Sequence, residues 1–352
     1  MMKYVSNIDH YIGSHCSSTL MSDVLRKYNI NLSEEMCFGI GSGLGFLYRK
    51  CWSPSYYMIL GRGHDIEEKI GQHLGFFTDI NISYDNDVAW NEVKKLIDSD
   101  RPVILDVDAA LLPYMKSRFS LFDYVRYGGH KACLVGYDDD AHKVALVDYA
   151  WQNIQIVSYE ELAKARNSDI GEFPSANMWI SFYFPQKKLE VEDAIFRGIG
   201  YNIHTMKHPV TTQTGLSGME KFLRQVTYWP IEKNEEQVRK NAYIAYMMLE
   251  TVGTGGGNFR KIYARFLKEA GNLLGINDLT HMSDIYFNLA SNWSEIAKLL
   301  KKSSDDIKTG IFKEDNYGQR LLEETSITEK LAIDELERIV IKNFASGYLF
   351  IS

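Results

Sequence analysis

Three residues in the first half of the chain have the types and the order needed for thiol chemistry. Cys16 stands in the run Ser14-His15-Cys16-Ser17-Ser18-Thr19, and Leu20, Met21, Val24, Leu25 and Tyr28 follow at helical spacing. That pattern predicts a helix beginning at or near the cysteine. The unpaired N–H groups and positive dipole end of a helix amino terminus stabilise a thiolate, the nucleophilic form of the side chain. His130 follows two glycines and opens the apolar run Ala132-Cys133-Leu134-Val135, while Asp148 closes a second run, Val144-Ala145-Leu146-Val147. If the two runs are the arms of a hairpin, its open end brings the acid beside the imidazole. Asp148 would then hold one ring nitrogen and leave the other to face the thiol, with Cys16 as nucleophile and His130 as base. The plainer reading makes Cys16 a half-buried structural thiol, His130 a loop histidine and Asp148 a turn residue.

Positioning such a site takes strands as well as a helix. Tyr56–Leu60, Phe76–Ile82, Val103–Val107, Ala132–Tyr137, Val144–Tyr149 and Trp179–Phe184 are rich in β-branched, apolar and aromatic residues and read as strands. The polar run Asp138–Lys143 suits a hairpin connection between two of them. After Pro185-Gln186-Lys187-Lys188 the texture changes. Helices are predicted over Val191–Gly200, Gly218–Tyr228, Glu235–Val252, Arg260–Leu274, His281–Lys301 and Ile327–Phe344, and proline is scarce, as a helical domain requires. The expected fold class is α+β, with a catalytic domain over 1–186 and a mainly α-helical domain over 187–352.

Composition narrows the function classes. A chain of 352 residues can bury two cores, and 45% hydrophobic with 24% charged residues is the balance of a soluble globular protein. A net charge of −7 without a basic run argues against nucleic acid as a partner and weakly favours a cationic small molecule. Four cysteines with no C-x-x-C pair give neither a disulfide framework nor a structural zinc site, and no metal is expected. The residues Met1–Ser6 lack the apolar core of a signal peptide, and no run of about 18 apolar residues could span a bilayer. These features lead to the expectation of a cytoplasmic protein with reduced thiols and no membrane partner.

Cysteine on an early helix, then histidine and acid on a later hairpin, resembles the chain order of papain-like enzymes. In papain-like and C39-type bacteriocin-processing peptidases a Gln six residues before the nucleophile donates to the oxyanion. His10 occupies that position here, and a ring N–H can donate in its place alongside the Cys16 backbone N–H. His15 is expected to be structural or substrate-facing. The run His15-Cys16-Ser17-Ser18-Thr19, followed by Leu32-Ser33-Glu34-Glu35-Met36-Cys37-Phe38-Gly39-Ile40-Gly41-Ser42-Gly43-Leu44-Gly45-Phe46, resembles the amino-terminal domain of the butirosin biosynthesis protein H family. Gly253-Thr254-Gly255-Gly256-Gly257-Asn258-Phe259-Arg260, with Tyr263, Phe266 and Leu267, is similar to the helical domain usually attached to it.

That resemblance implies acyl transfer in specialised metabolism. An amino-acyl group would pass from the phosphopantetheine thioester of an acyl carrier protein, through Cys16, to an amine of an aminoglycoside-like acceptor. The phosphopantetheine would arrive on the carrier, so no cofactor of the chain's own is expected, and the helical domain becomes a candidate lid. Two rivals remain: a cysteine peptidase or amidase using the same triad with water as acceptor, and a binding module in which Cys16 is only structural. The acyl group, the acceptor and the oligomeric state, a homo-oligomer included, stay open.

Other features carry weaker signals. Gly39, Gly41, Gly43 and Gly45 alternate, unlike a nucleotide-binding fingerprint, and suit close passage of backbone past the active-site helix or past the acyl chain at Gly41 and Gly43. The Gly253–Gly257 run is no P-loop; either its N–H groups and Arg260 bind a phosphate, or it is a helix break with close packing. His204 and His208 have the spacing of half a metal site but no acid in the required position. Asp138–Asp140 reads as a solvated turn, and Glu34 with Glu35 as surface acids that could meet an amine acceptor.

Overall fold

The structure is a computed structural model that describes residues 1–52, 55–171, 173–185 and 190–343. The boundary expected at Gln186–Lys188, and Phe344 at the end of the last predicted helix, lie outside the described residues. In chain order the elements are β1 (Lys3–Tyr4), α1 (Cys16–Lys27), α2 (Glu34–Ile40), β2 (Leu44–Trp52), β3 (Ser55–Arg62), α3 (Ile66–Leu74), β4 (Phe77–Asn81), α4 (Asn86–Asp98), β5 (Val103–Val107), α5 (Pro113–Arg118), β6 (His130–Asp138), β7 (Lys143–Val147), β8 (Gln155–Ser158), α6 (Tyr159–Arg166) and β9 (Trp179–Tyr183). There follow α7 (Val191–Lys207), α8 (Gly215–Val226), α9 (Trp229–Glu232), α10 (Glu235–Tyr246), α11 (Arg260–Leu274), α12 (Asn277–Asp305) and α13 (Tyr317–Asn343). The fold class is α+β with a helical carboxy-terminal region.

The chain divides into two compact units that are not contiguous in sequence. One comprises Met1–Cys37 with Gly75–Lys188, the other Phe38–Leu74 with Leu189–Ser352. This division differs from the expected split into 1–186 and 187–352 in residues 38–74, which pack with the second unit. The reason is packing: β2 and β3 form a separate two-stranded antiparallel sheet against α8 and α10. A lone hairpin is marginal in water and needs such helices to bury its face. Glycine at 45 and the charged pair Arg49-Lys50 hid β2 from a reading by strand propensity.

In the first unit a seven-stranded antiparallel sheet runs β4-β9-β5-β6-β7-β8, with β1 added to the far end of β6. The β6–β7 hairpin turns at Asp139–His142, and its register shifts between Leu134 and Gly136. Beyond Cys133↔Val147 the strands part, so Asp148 follows directly on the last paired residue of β7 and His130 begins β6. Both lie at the open end of the hairpin. Helix α1 packs on β6, and its residues Cys16 to Leu25 are all buried, which makes it a central helix rather than an amphipathic surface one. Gly128, just before β6, has the backbone of Phe173 so close that a Cβ would lie 2.3 Å from its carbonyl oxygen. Its missing side chain serves close packing rather than flexibility.

The second unit buries Trp229, Trp293, Tyr48, Tyr263, Tyr286, Phe222 and Phe266 completely. The predicted helix over Glu235–Val252 is α10 followed by a π turn, Met247–Thr251. Among the described residues no helix is long and apolar enough to cross a membrane.

Candidate active site

The first unit brings Cys16, His130 and Asp148 together. Cys16 is the first residue of α1, and His15 is its cap, with extended backbone (φ −138°, ψ 133°). The N–H groups of the first turn have no backbone partner inside the helix, and that of Ser18 is taken by the His15 side chain. His130 Nε2 lies 2.8 Å from Asp148 Oδ2, and the Cys16 thiol is among the groups that act on the same imidazole. The group is enclosed: Cys16 is 6% exposed, His130 3% and Asp148 0%.

The electrostatics move the two partners' proton affinities past one another. Burial alone would push the Cys16 thiol up, but the charge of His15 and hydrogen bonds from His130 and His15 hold it well below the ordinary thiol range. Burial alone would lower His130, yet the Asp148 carboxylate and the sulfur raise it to about 10. Both shifts act in the direction that favours a thiolate–imidazolium pair over a neutral one. Cys133 shows the opposite behaviour in the same unit: burial beside no cationic partner pushes its thiol far up.

Residues that the sequence did not single out complete the site. Tyr114 on α5 donates its phenol to Asp148 Oδ2 at 2.9 Å, and burial beside that carboxylate raises its own proton affinity well above the usual phenol value. The Tyr149 ring centroid lies 6.1 Å from that of His130, Phe119 stacks on Tyr149, and Trp151 meets both Phe119 and Tyr114 edge-on. These rings form a dry wall that strengthens each charge interaction behind it. Glu34, weighed above only as a surface acid, turns inward. It accepts the N–H of Ser14 at 2.8 Å and of His15 at 2.7 Å, and the Thr19 hydroxyl at 3.0 Å. Gly13 permits that approach, since a Cβ there would sit 2.0 Å from Thr19 Oγ1. Burial outweighs these bonds and raises Glu34 to about 7.

Other expected site residues are placed differently. His10 Nδ1 is 2.6 Å from Asp23 Oδ2, and its Nε2 is 2.8 Å from the Trp151 carbonyl oxygen. With both ring nitrogens engaged, His10 has no N–H for an oxyanion; it fastens α1 to the chain that follows Asp148. His15 is 1% exposed, and its side chain caps α1 by accepting the Ser18 N–H. Gly41 and Gly43 are buried in the second unit, where a Cβ on Gly43 would strike the Phe38 ring at 2.6 Å, so Gly43 answers a packing need rather than one of the active-site helix.

Arg260 is 0% exposed and paired with Glu329, and it donates to the carbonyls of Gly45, Gly61 and Asn258. A guanidinium so committed does not bind a phosphate. Left-handed backbone at Gly255, Gly256, Gly257, Asn258 and Phe259 turns the chain into α11, which is the close-packing reading of that run. The rings of His204 and His208 are 5.3 Å apart, and among the described residues no group of three His, Cys, Asp or Glu is placed to hold a metal. A cavity of about 450 Å³ in the second unit is walled by Phe46, Arg62, His64, Tyr201, His204 and Pro209, among others.

An α+β unit with a thiol at a helix start, joined in one chain to a helical unit, is thus the class that fold and site define. Residues 15–149 match a family model described as "Butirosin biosynthesis protein H, N-terminal", and residues 160–336 match one described as "Domain of unknown function (DUF4872)". The chain belongs to the butirosin biosynthesis protein H-like family, with the helical domain of that second description. The first match associates it with biosynthesis of the butirosin type. A search of curated proteins found no match.

Proposed function

We propose that the protein is a cysteine-dependent acyltransferase that passes an amino-acyl group from a carrier-bound thioester to an amine in specialised metabolism. The observation that carries this reading is the enclosed Cys16–His130–Asp148 group with its lowered thiol and raised imidazole. The Cys16 thiolate attacks the thioester carbonyl, and the carrier thiol leaves with the proton held by His130. Neutral His130 then accepts a proton from the attacking amine, the amide forms, and the Cys16 thiolate leaves beside a restored imidazolium. Asp148 keeps the ring oriented throughout, and the Tyr114 phenol donates to the same carboxylate oxygen, Oδ2.

Enclosure favours transfer over hydrolysis, because water that reaches the acyl-enzyme diverts it. The family match supports a biosynthetic role, and the net charge of −7 suits a cationic acceptor. An acyl carrier protein as donor and an aminoglycoside-like amine as acceptor belong to this same reading. The test is the fate of the acyl group: thioester turnover is measured with and without a polyamine acceptor. Turnover that rises at least about tenfold with the amine, with amide as product, supports transfer. Equal turnover with free acid as the sole product would mean a hydrolase.

A further inference from the structure

We propose that the cavity between α4 and α6 in the first unit binds a small monocarboxylate, which Arg166 anchors. The inference is independent of the chemistry assigned to Cys16, since no residue that lines this cavity belongs to that site.

A buried cation without an anion carries the argument. Arg166 is the last residue of α6, is 3% exposed and lines the cavity. Among the described residues it has no ion pair. Its hydrogen bond is a long one, from Nη2 to the Ala89 carbonyl oxygen at 3.5 Å, and Nε has no partner. Burial lowers its proton affinity to about 10, which leaves the guanidinium charged at neutral pH. The last carbonyls of α6 return only a partial negative charge. Arg260 shows what a satisfied buried guanidinium looks like: it has Glu329 and three carbonyls. A buried charge left like that of Arg166 is costly unless something else neutralises it.

The cavity supplies room for such a group. Its volume is about 190 Å³, and an apolar void of about 150 Å³ already takes up a benzene molecule. Trp90 and Tyr159, with ring centroids 4.7 Å apart, form an aromatic wall, and buried Leu162 adds to it. The Tyr159 hydroxyl is committed to Asp139 Oδ1 at 2.9 Å, so Tyr159 offers the cavity its ring. Amides stand beside the guanidinium. Asn177, buried with left-handed backbone (φ 49°), donates its N–H to the Arg166 carbonyl at 2.7 Å and its Nδ2 to Asn86 Oδ1 at 2.9 Å. That leaves the amide NH₂ of exposed Asn86 as a donor at the rim. The first-turn N–H groups of α4 are not the anchor, because Asp85 already accepts those of Asp87 and Val88.

Charge fixes the class of ligand. A planar guanidinium matches the two oxygens of a carboxylate. Asp87, exposed and lining the same cavity, repels a second negative charge, which disfavours a phosphate dianion. The aromatic wall and the volume suit a single-ring or short aliphatic body.

Sodium benzoate is the probe, with benzamide as its neutral counterpart and sodium chloride at equal ionic strength as control. Binding is read by titration calorimetry and by the thermal midpoint. The native protein should bind benzoate saturably, with a Kd of about 1 mM or tighter, and benzamide at least about tenfold more weakly. Arg166→Met keeps an apolar stem, removes the charge and should weaken benzoate binding by about 10–100-fold. Should the Met protein fail to fold, Ala163→Phe fills the same cavity with Arg166 in place and should abolish binding. Benzoate affinity that either folded variant leaves unchanged would overturn the inference. So would a native protein that binds benzoate no better than benzamide, or not at all.

Discussion

Each of the two units buries a pair of opposite charges, and only one of the pairs can pass a proton. In the first unit, Cys16 and His130 face each other with proton affinities that burial and neighbours have moved past one another. In the second, Arg260 pairs with Glu329 through Nε, lies over the Trp293 ring at 5.6 Å, and turns Nη1 to three carbonyls; Trp293 also donates to Glu329 at 3.0 Å. A guanidinium does not deprotonate in a protein, so that pair can only hold structure. Burial of charge marks neither site as functional by itself. What distinguishes them is a partner that can exchange a proton and a sulfur that can attack.

Substitutions can break this contrast from either side. His130→Ala removes the base and is expected to lower acyl transfer by about 10²–10⁴-fold in single-turnover assays. A loss below tenfold would make the histidine structural. Glu329→Ala should do the reverse. It strands a buried guanidinium at a cost of about 3–5 kcal/mol, read by denaturant unfolding, while Cys16 alkylation of the folded fraction stays native. Stability within 1 kcal/mol of native, where a surface pair would leave it, would show the pair to be dispensable. A smaller effect is expected of Tyr114→Phe, which keeps the ring against Trp151 but loses the hydrogen bond to the Asp148 carboxylate. About 1.5–3 kcal/mol of stability should go with it, with a modest fall in rate. No change in either would remove Tyr114 from the site.

Proton linkage gives the gentlest test. His130 is raised from 6.5 to about 10, so its contribution is complete below 6.5 and is lost as pH rises through about 10. Cys16 is lowered from 9.0, so its contribution is complete above 9.0 and is lost as pH falls through the folded value. Below about pH 9, where both groups titrate, the two slopes oppose, and the stability difference between native protein and a Cys16→Ala, His130→Ala double variant should be nearly flat. Above pH 9 that difference should shrink as His130 loses its proton, and it should shrink again as pH falls through the folded value of Cys16. A difference that climbs or falls steadily from pH 5 to 10 would contradict the paired assignment.

How much of this was legible in the sequence depended on how local each signal was. Val103–Val107 and Arg260–Leu274 coincide with β5 and α11 at both ends, because a short apolar strand and a glycine-bounded helix are written in consecutive residues. The hairpin that carries His130 and Asp148 was visible for the same reason. Glu34 and Tyr114 were not, since each reaches the site through the fold, from 18 residues after Cys16 and 34 residues before Asp148. His10 and Arg260 show the converse. Their types suit an oxyanion donor and a phosphate ligand, yet Asp23, Trp151 and Glu329 occupy the atoms those roles need. Residue type states what a group can donate, but only the packed structure states to whom. Residues 38–74 joined the second unit because β2 and β3 need its helices, a demand that no stretch of sequence announces.

Acylation of the protein by simple thioesters shows whether Cys16 is the nucleophile. Native protein and Cys16→Ser are incubated with simple acyl thioesters, and intact mass with peptide mapping locates any acyl group. A single adduct on Cys16 is expected, absent from the Ser variant and discharged by added amine. An adduct spread over Cys37, Cys51 and Cys133 as readily as on Cys16, or no adduct from any thioester, would contradict it.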